Sequence, residues 1–403
     1  MNFGSVLNKE SSTSDRQESK IEQVEKSKEV GKANPEETTP PGNKSKTSVE
    51  EDITTINQNL SSIKIKRYDT PPIWAQRVQL EKFKSNAQNA KSSDQQVFDF
   101  STTVDLQCSI TGEIPPASAS TNRKIAEWVY ANFSNIEEHN RKYVELEVKF
   151  GKILDKKTGN RFNFNNSEYV FTHNSNIRYD MQVEKISWQE VRNFFEELER
   201  NYQEDHKADN QPGPKIKFIM IESDQTDSFY RIGGKGETKK IRVSKDNRTT
   251  HARYTAIHKE RIADLYINNP SSMYDFRLSL SLEIPVPETI VERTIKNKPN
   301  YVRDKKRTTW THAPTITQFD LTRVFKPLNF KNKYGKKIVT HDITHEIELE
   351  IDTLEVFNAI NTQSTDNSRL EQLVEAFINN ARVINNRVTK LALPKTQTQK
   401  AND

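Results

Sequence analysis

The chain has 403 residues with a formal net charge of +5, and only 33% of them are hydrophobic. A mean hydropathy of −0.88 and the lack of any apolar run near 18 residues exclude a membrane-spanning helix. The one cysteine, Cys108, excludes a disulfide framework and Cys-x-x-Cys zinc clusters, and predicts a reducing compartment, cytosol or nucleus.

Residues 1–95 are rich in Ser, Thr, Glu, Lys and Gln, with Phe3, Tyr68, Trp74 and Phe83 as their aromatics. Such a stretch cannot bury enough apolar surface to offset its ordering entropy, so it is expected to be a disordered tail. Its start, residues 1–20, has no apolar core of the kind a secretory signal needs. One island interrupts it at 71–78, where Trp74 follows a Pro pair. Two readings of the island stand equal: a segment that docks on a partner, or an arm packing on its own domain.

From residue 96 the pattern becomes that of a folded domain ending near 395, followed by a short polar tail. From Thr121 to Ile136, Ile125, Trp128, Val129, Phe133 and Ile136 recur at helical spacing and predict a first helix. Ser187 and Glu190 read as a capping box opening a helix with Val191, Phe194, Phe195, Leu198 and Tyr202 on its apolar face. Ser368 is placed to cap a third helix carrying Leu370, Leu373, Val374, Phe377 and Ile378. Between these lie period-two runs at 143–150, 168–172, 217–223, 228–232, 239–244, 254–262, 276–286, 301–311, 316–325 and 344–352. Strands outnumber helices, which predicts an α+β fold built on one large, mostly antiparallel sheet or barrel.

The polar faces of these strands carry the chemistry. Glu145, Glu147 and Lys149 lie opposite Val144, Leu146, Val148 and Phe150. Glu346, Glu348, Glu350 and Asp352 lie opposite Ile347, Leu349 and Ile351. Residues two apart on a strand share a face about 6.6 Å apart, close enough for two carboxylates to converge on one cation. Lys240 and Arg242 share another face, as do Arg303, Lys305 and Arg307. Acidic and basic rows on one side of a sheet describe either a highly charged surface or a charged interior. The interior reading requires a closed barrel with a polar lumen, because an unpaired buried ion costs several kcal/mol to desolvate. Carboxylate oxygens favour Mg²⁺ or Mn²⁺ over zinc, and the neighbouring Arg and Lys suggest a phosphate substrate. Gly233, Gly234, Lys235 and Gly236 lack the order of a phosphate-binding P-loop and read as a hairpin turn. His341 and His345 lead into a strand rather than forming a zinc pair.

The runs 143–151 and 344–351 resemble the first and last signature strands of the fungal-type RNA 5′-triphosphatases, metal-dependent mRNA-capping enzymes of the triphosphate tunnel metalloenzyme superfamily. The likeness extends from about residue 98 to 395 and takes in the runs around Arg242, 258–265, 281–287 and 319–324. It implies a closed antiparallel barrel of about eight strands forming a hydrophilic tunnel flanked by α-helices. It implies Glu145, Glu147 and Glu350 as ligands of Mg²⁺ or Mn²⁺, and Arg242, Lys305 and Arg307 as the γ-phosphate clamp. Glu283 and Glu348 would position or deprotonate the attacking water. Lys259, Arg303, Asp320, Thr322 and Glu346 would complete the lining. Trp74, Ala75, Gln76 and Arg77 resemble the element with which the family docks on the mRNA guanylyltransferase; a homodimer, a nuclear location and RNA 5′-triphosphate ends as substrate follow from the same likeness.

Three positions depart from the pattern. Gln318 stands where an arginine is expected, the Arg242–Lys259 spacing is one residue longer, and Val78 ends the docking element where an aromatic is usual. Two rival functions share the same residues: a tunnel-fold hydrolase of tripolyphosphate or nucleoside triphosphates, and a phosphate-binding scaffold without catalysis.

Overall fold

The computed structural model describes residues 66–77, 106–162, 167–172, 174–208, 216–233, 238–249, 253–331, 337–361 and 368–392. Residues 1–65 and 78–95 of the expected N-terminal tail (Val78 among them), the C-terminal tail and the domain boundary near 96 lie outside them, whereas residues 66–77 of the N-terminal tail are ordered against the domain. Eleven strands lie among the described residues: β1 (Lys66–Arg67), β2 (Val144–Asp155), β3 (Tyr169–Phe171), β4 (Ile177–Asp180), β5 (Ile219–Ile232), β6 (Lys239–Asp246), β7 (Arg253–Asn268), β8 (Asp275–Pro285), β9 (Tyr301–His312), β10 (Thr317–Lys331) and β11 (Lys337–Ile351). Five α-helices accompany them among the described residues: α1 (Ala119–Phe133), α2 (Lys185–Ala208), α3 (Glu288–Thr294), α4 (Thr353–Asn361) and α5 (Ser368–Ala392).

Eight strands close into a ring in the order β2-β8-β7-β6-β5-β9-β10-β11, and β11 returns to pair with β2. Every pairing around the ring is antiparallel. Closure removes the sheet edges and gives each strand one face toward the lumen and one toward the outside. On β2, Val144, Leu146, Val148 and Phe150 face outward into the main apolar cluster, yet Glu145, Glu147 and Lys149 on the other face are also at least 90% buried. The alternation therefore reads apolar-out and charged-in.

Helices cover the outward face. Phe133 of α1, Val191 and Phe195 of α2 and Phe377 of α5 join the strand residues Leu280, Phe319 and Leu349 in one cluster. Phe195 stacks on Trp310 with ring centroids 5.0 Å apart and touches Phe218 and Phe319. A smaller cluster of Tyr230, Ile241, Val243, Tyr254, Val286 and Val291 seats α3 on the opposite flank. Gly151 is required where β2 meets β4, because a Cβ there would lie 2.2 Å from the carbonyl oxygen of Asp180.

Several expectations are corrected. Runs 217–223 and 228–232 are one strand, β5, because the polar stretch between them is held on both faces. Asp227 turns inward to Arg303, whereas Asp224 turns outward to Lys306 at 3.2 Å. Ser187 does not cap α2. The helix starts two residues earlier, after Val183 N–H has bonded to His345 O and with Glu184 O accepting from Trp188 N–H. The Ser187 hydroxyl points instead at Met273 Sδ. The first helix spans 119–133 rather than 121–136, and Ser368 does begin α5, with Leu370, Leu373, Val374, Phe377 and Ile378 buried as expected.

Candidate active site

The lumen is a cavity of about 1200 Å³. Three carboxylates, from Glu145 and Glu147 on β2 and Glu350 on β11, bring oxygens within 4.8 Å of one another. The register explains the convergence, since Glu350 pairs directly with Glu147 and Glu145 lies one lumen-facing position along the same strand. Burial, then Glu145 and Asp320, push the Glu350 carboxyl well above its usual range. Burial also works against charge on Glu145, but Lys259 and Arg77 hold its carboxyl well below that range. The Ser281 hydroxyl donates to Glu145 at 2.9 Å. An all-oxygen trio in which one carboxyl cannot readily ionise beside another fits a hard divalent cation, which would supply the missing positive charge.

Cations line the remainder of the wall. Arg307 is fixed on three sides, to Asp320 at 2.5 Å, to Glu348 at 3.0 Å and to the Thr322 hydroxyl at 3.0 Å. Asp320 also accepts from Thr309 at 2.6 Å and from Gln318 at 3.3 Å. The amide thus faces the same carboxylate and adds no charge where an arginine was expected. Arg303 forks onto Asp227 with two 3.1 Å bonds, and Ser244 donates to the same Asp227 at 2.6 Å. Arg242 reaches Glu283 at 3.2 Å, while its buried Nε has no hydrogen-bond partner among the described residues. Lys305 is buried and, among the described residues, has no carboxylate within ion-pair reach. Burial, then Arg307, lowers its ammonium to about 8. Lys305 and Arg242 both line the cavity and offer positive charge to an anion there.

Glu348 bonds to Lys149 through one oxygen and to Arg307 through the other. Those two cations outweigh burial and hold its carboxyl well below the usual range. Glu346 has the opposite environment, with burial and then the Glu348 charge raising its carboxyl. Lys259 bonds to Glu145 and lies 3.4 Å from Glu147 and 3.6 Å from Glu283. The longer Arg242–Lys259 spacing is therefore absorbed without removing Lys259 from the lumen.

Every sequence-predicted barrel residue thus lies in or directly behind this cavity; Asp320 and Thr322 sit behind it, fully buried, and bond to Arg307. Two participants were overlooked. Lys149 continues the Glu145/Glu147 face, a signal visible in the alternation, whereas Asp227 lies in a run whose composition resembles a turn.

The described part of the island, residues 71–77, takes the arm position. Trp74 Nε1 and Tyr68 Oη donate to Asp246 at 3.1 and 2.9 Å, and Arg67 donates to Val286 O at 2.7 Å. Arg77 bonds to Val144 O and approaches Glu283 at 4.0 Å, so its guanidinium enters the cavity wall. Ala75 and Gln76 stay exposed.

Residues 114–390 match the family described as "mRNA capping enzyme, beta chain". The mRNA-capping enzyme subunit beta of Debaryomyces hansenii is 49% identical over 361 residues, covering 85% of this chain and 75% of its own length. That of Candida albicans is 51% identical over 345 residues, covering 82% of this chain and 62% of its own length. The structure of the S. pombe Pct1 RNA triphosphatase in complex with the Spt5 CTD has the same fold, with a TM-score of 0.54 at 22% identity over 70% of this chain and 98% of that chain. No helix among the described residues is long and apolar enough to cross a membrane.

Proposed function

Because this chain belongs to the mRNA capping enzyme beta-chain family, we propose that it hydrolyses the γ-phosphate from the 5′-triphosphate end of nascent RNA, leaving a diphosphate end. One observation carries the reading: a carboxylate trio and a buried lysine, Lys305, with no carboxylate in ion-pair reach among the described residues share the wall of one closed tunnel.

Glu145, Glu147 and Glu350 would hold Mg²⁺ or Mn²⁺, which when bound polarises a phosphoryl oxygen as a Lewis acid. Lys305, Arg242 and Arg307 bind the γ-phosphoryl oxygens and offset charge as it shifts toward the leaving diphosphate. Asp320, Thr322 and Glu348 keep Arg307 aimed; Asp227 does the same for Arg303. Attack is by water, in line with the departing oxygen: the new P–O bond forms as the β–γ bridge breaks, and the diphosphate leaves with the electron pair. Glu348, held ionised by two cations, is a weak base and suits orientation of the water. Glu346, with its raised carboxyl, is the better proton acceptor. Glu283 tethers Lys259 and Arg242, and turns both toward the substrate.

Trp74, Ala75, Gln76 and Arg77 form the docking element for the mRNA guanylyltransferase, with the exposed Ala75 and Gln76 as its accessible part. A homodimer through the catalytic domain and a nuclear location complete the proposal, supported by the family likeness. The test is phosphate release from γ-labelled triphosphate RNA, ATP and tripolyphosphate, each with Mg²⁺, Mn²⁺ or EDTA. Metal-dependent turnover preferring RNA supports the reading; preference for tripolyphosphate replaces the substrate, and turnover in EDTA removes the metal.

A further inference from the structure

The lumen is lined largely by charged and hydrogen-bonding side chains, with the aromatic rings of Tyr68, Trp74, Tyr143 and Phe229 among them. Phe229 on β5 lies on the cavity wall, and its cross-strand partner on β9 is Tyr301. Their ring centroids are 5.5 Å apart at an interplanar angle of 34°. Among the described residues neither ring joins a buried apolar cluster, and Tyr301 is 39% exposed. The pair therefore contributes little core burial. It also has cationic company: Lys240 Nζ stands 4.8 Å and the Arg303 guanidinium 5.2 Å from the centre of the Phe229 ring.

Position along the strands gives the pair a meaning. On β9 the lumen-facing order is Arg307, Lys305, Arg303, Tyr301, so the aromatic edge lies four residues from Lys305, about 13 Å at 3.3 Å per residue. That is room for the rest of a triphosphate and a ribose beyond a γ-phosphate held at Lys305. The N-terminal arm leaves this edge clear, because its anchor Asp246 pairs with Gln225, four residues along β5 from Phe229. Aromatic faces beside cations recur wherever proteins hold single-stranded nucleic acid, since every base has a π-face and every linkage a negative charge.

Resting on the triphosphatase reading above, we propose that Phe229 and Tyr301 form a stacking platform for the base of the 5′-terminal nucleotide, with Lys240 as its phosphate contact. The platform distinguishes an RNA end from tripolyphosphate, which has no base to stack.

The experiment compares wild-type, Tyr301→Ala and Tyr301→Phe full-length chains. It reads the ratio of kcat/KM for triphosphate-ended RNA to kcat/KM for inorganic tripolyphosphate. It also reads fluorescence of a triphosphate RNA carrying 2-aminopurine at its first nucleotide, mixed with each chain in EDTA. Tyr301→Ala lowers the ratio about tenfold, through KM, as expected for loss of one stacked base. Tyr301→Phe keeps it, and quenching of the base seen with wild type is lost in Tyr301→Ala alone. A ratio unchanged in Tyr301→Ala, or lowered equally in Tyr301→Phe, overturns the platform while wild-type turnover leaves the triphosphatase reading intact. Failure of wild type to cleave either substrate overturns both.

Discussion

Lys305 offers a sharp test of whether the lumen is organised for an anion at the expense of stability. Its ammonium is buried beside Arg307, Arg242 and Arg303, which have their own carboxylate partners, while it has none within ion-pair reach among the described residues; burial, then Arg307, lowers it to about 8 against an ordinary 10.5. At 1.36 kcal/mol per pH unit, that difference amounts to about 3 kcal/mol of destabilisation in the substrate-free protein. The folded value lies below the unfolded one, so the unfolded chain binds more protons between pH 8 and 10.5. The penalty is then complete below pH 8 and fades as pH rises through that window. Lys305→Met keeps most of the aliphatic stem and removes the charge. Urea unfolding at pH 7 is expected to show the variant more stable by about 1–3 kcal/mol, with the gain shrinking by pH 10. Added tripolyphosphate should stabilise wild type and not the variant, and turnover should fall with phosphate binding. A variant equally or less stable at pH 7, or a gain that does not depend on pH, would refute the reasoning.

Removing one metal carboxylate, Glu147→Ala, is expected to cost on the order of several kcal/mol in barrier; near-normal phosphate release with Mg²⁺ would sink the ligand assignment. Mn²⁺ at a hundredfold excess over its dissociation constant should raise unfolding stability by about 2.7 kcal/mol, a gain that Glu350→Gln should largely abolish in the same melt. In the core, Phe195→Ala breaks contacts to Trp310, Phe218 and Phe319 and should cost about 3–5 kcal/mol by chemical denaturation. Trp74→Ala should weaken guanylyltransferase binding at least thirtyfold by calorimetry, as for an aromatic anchor worth about 2 kcal/mol or more. Unchanged affinity would leave the segment as an arm alone.

The charged rows were legible because strand geometry has a period of two. Glu145 and Glu147, or Lys305 and Arg307, must share a face whatever the fold. Helix α5 was legible for a similar reason, its apolar stripe and its starting Ser368 being local. Glu283 was not: a lone Glu at the end of a Leu-rich strand has no periodic partner, and only the family likeness singled it out. Its role emerges from Arg242, Lys259 and Arg77, which arrive from three separate segments. Asp227 was hidden because Asp224–Asp227 has the composition of a turn, and only pairing with β6 and β9 on both sides keeps it extended. Between the two readings of Trp74 the sequence was neutral, since the anchor that seats it, Asp246, is 172 residues away.

What the sequence by itself determined, then, was which side chains travel together along each strand, because alternation is a property of the backbone and needs no partner. Tertiary structure alone decided that the charged side is the inside. That choice depends on β11 pairing with β2, a contact between residues about 200 apart. Closure brings Glu145 to Lys259 and Glu348 to Arg307, and stacks the apolar faces under helices. Without it the same alternation would describe an ordinary solvated sheet.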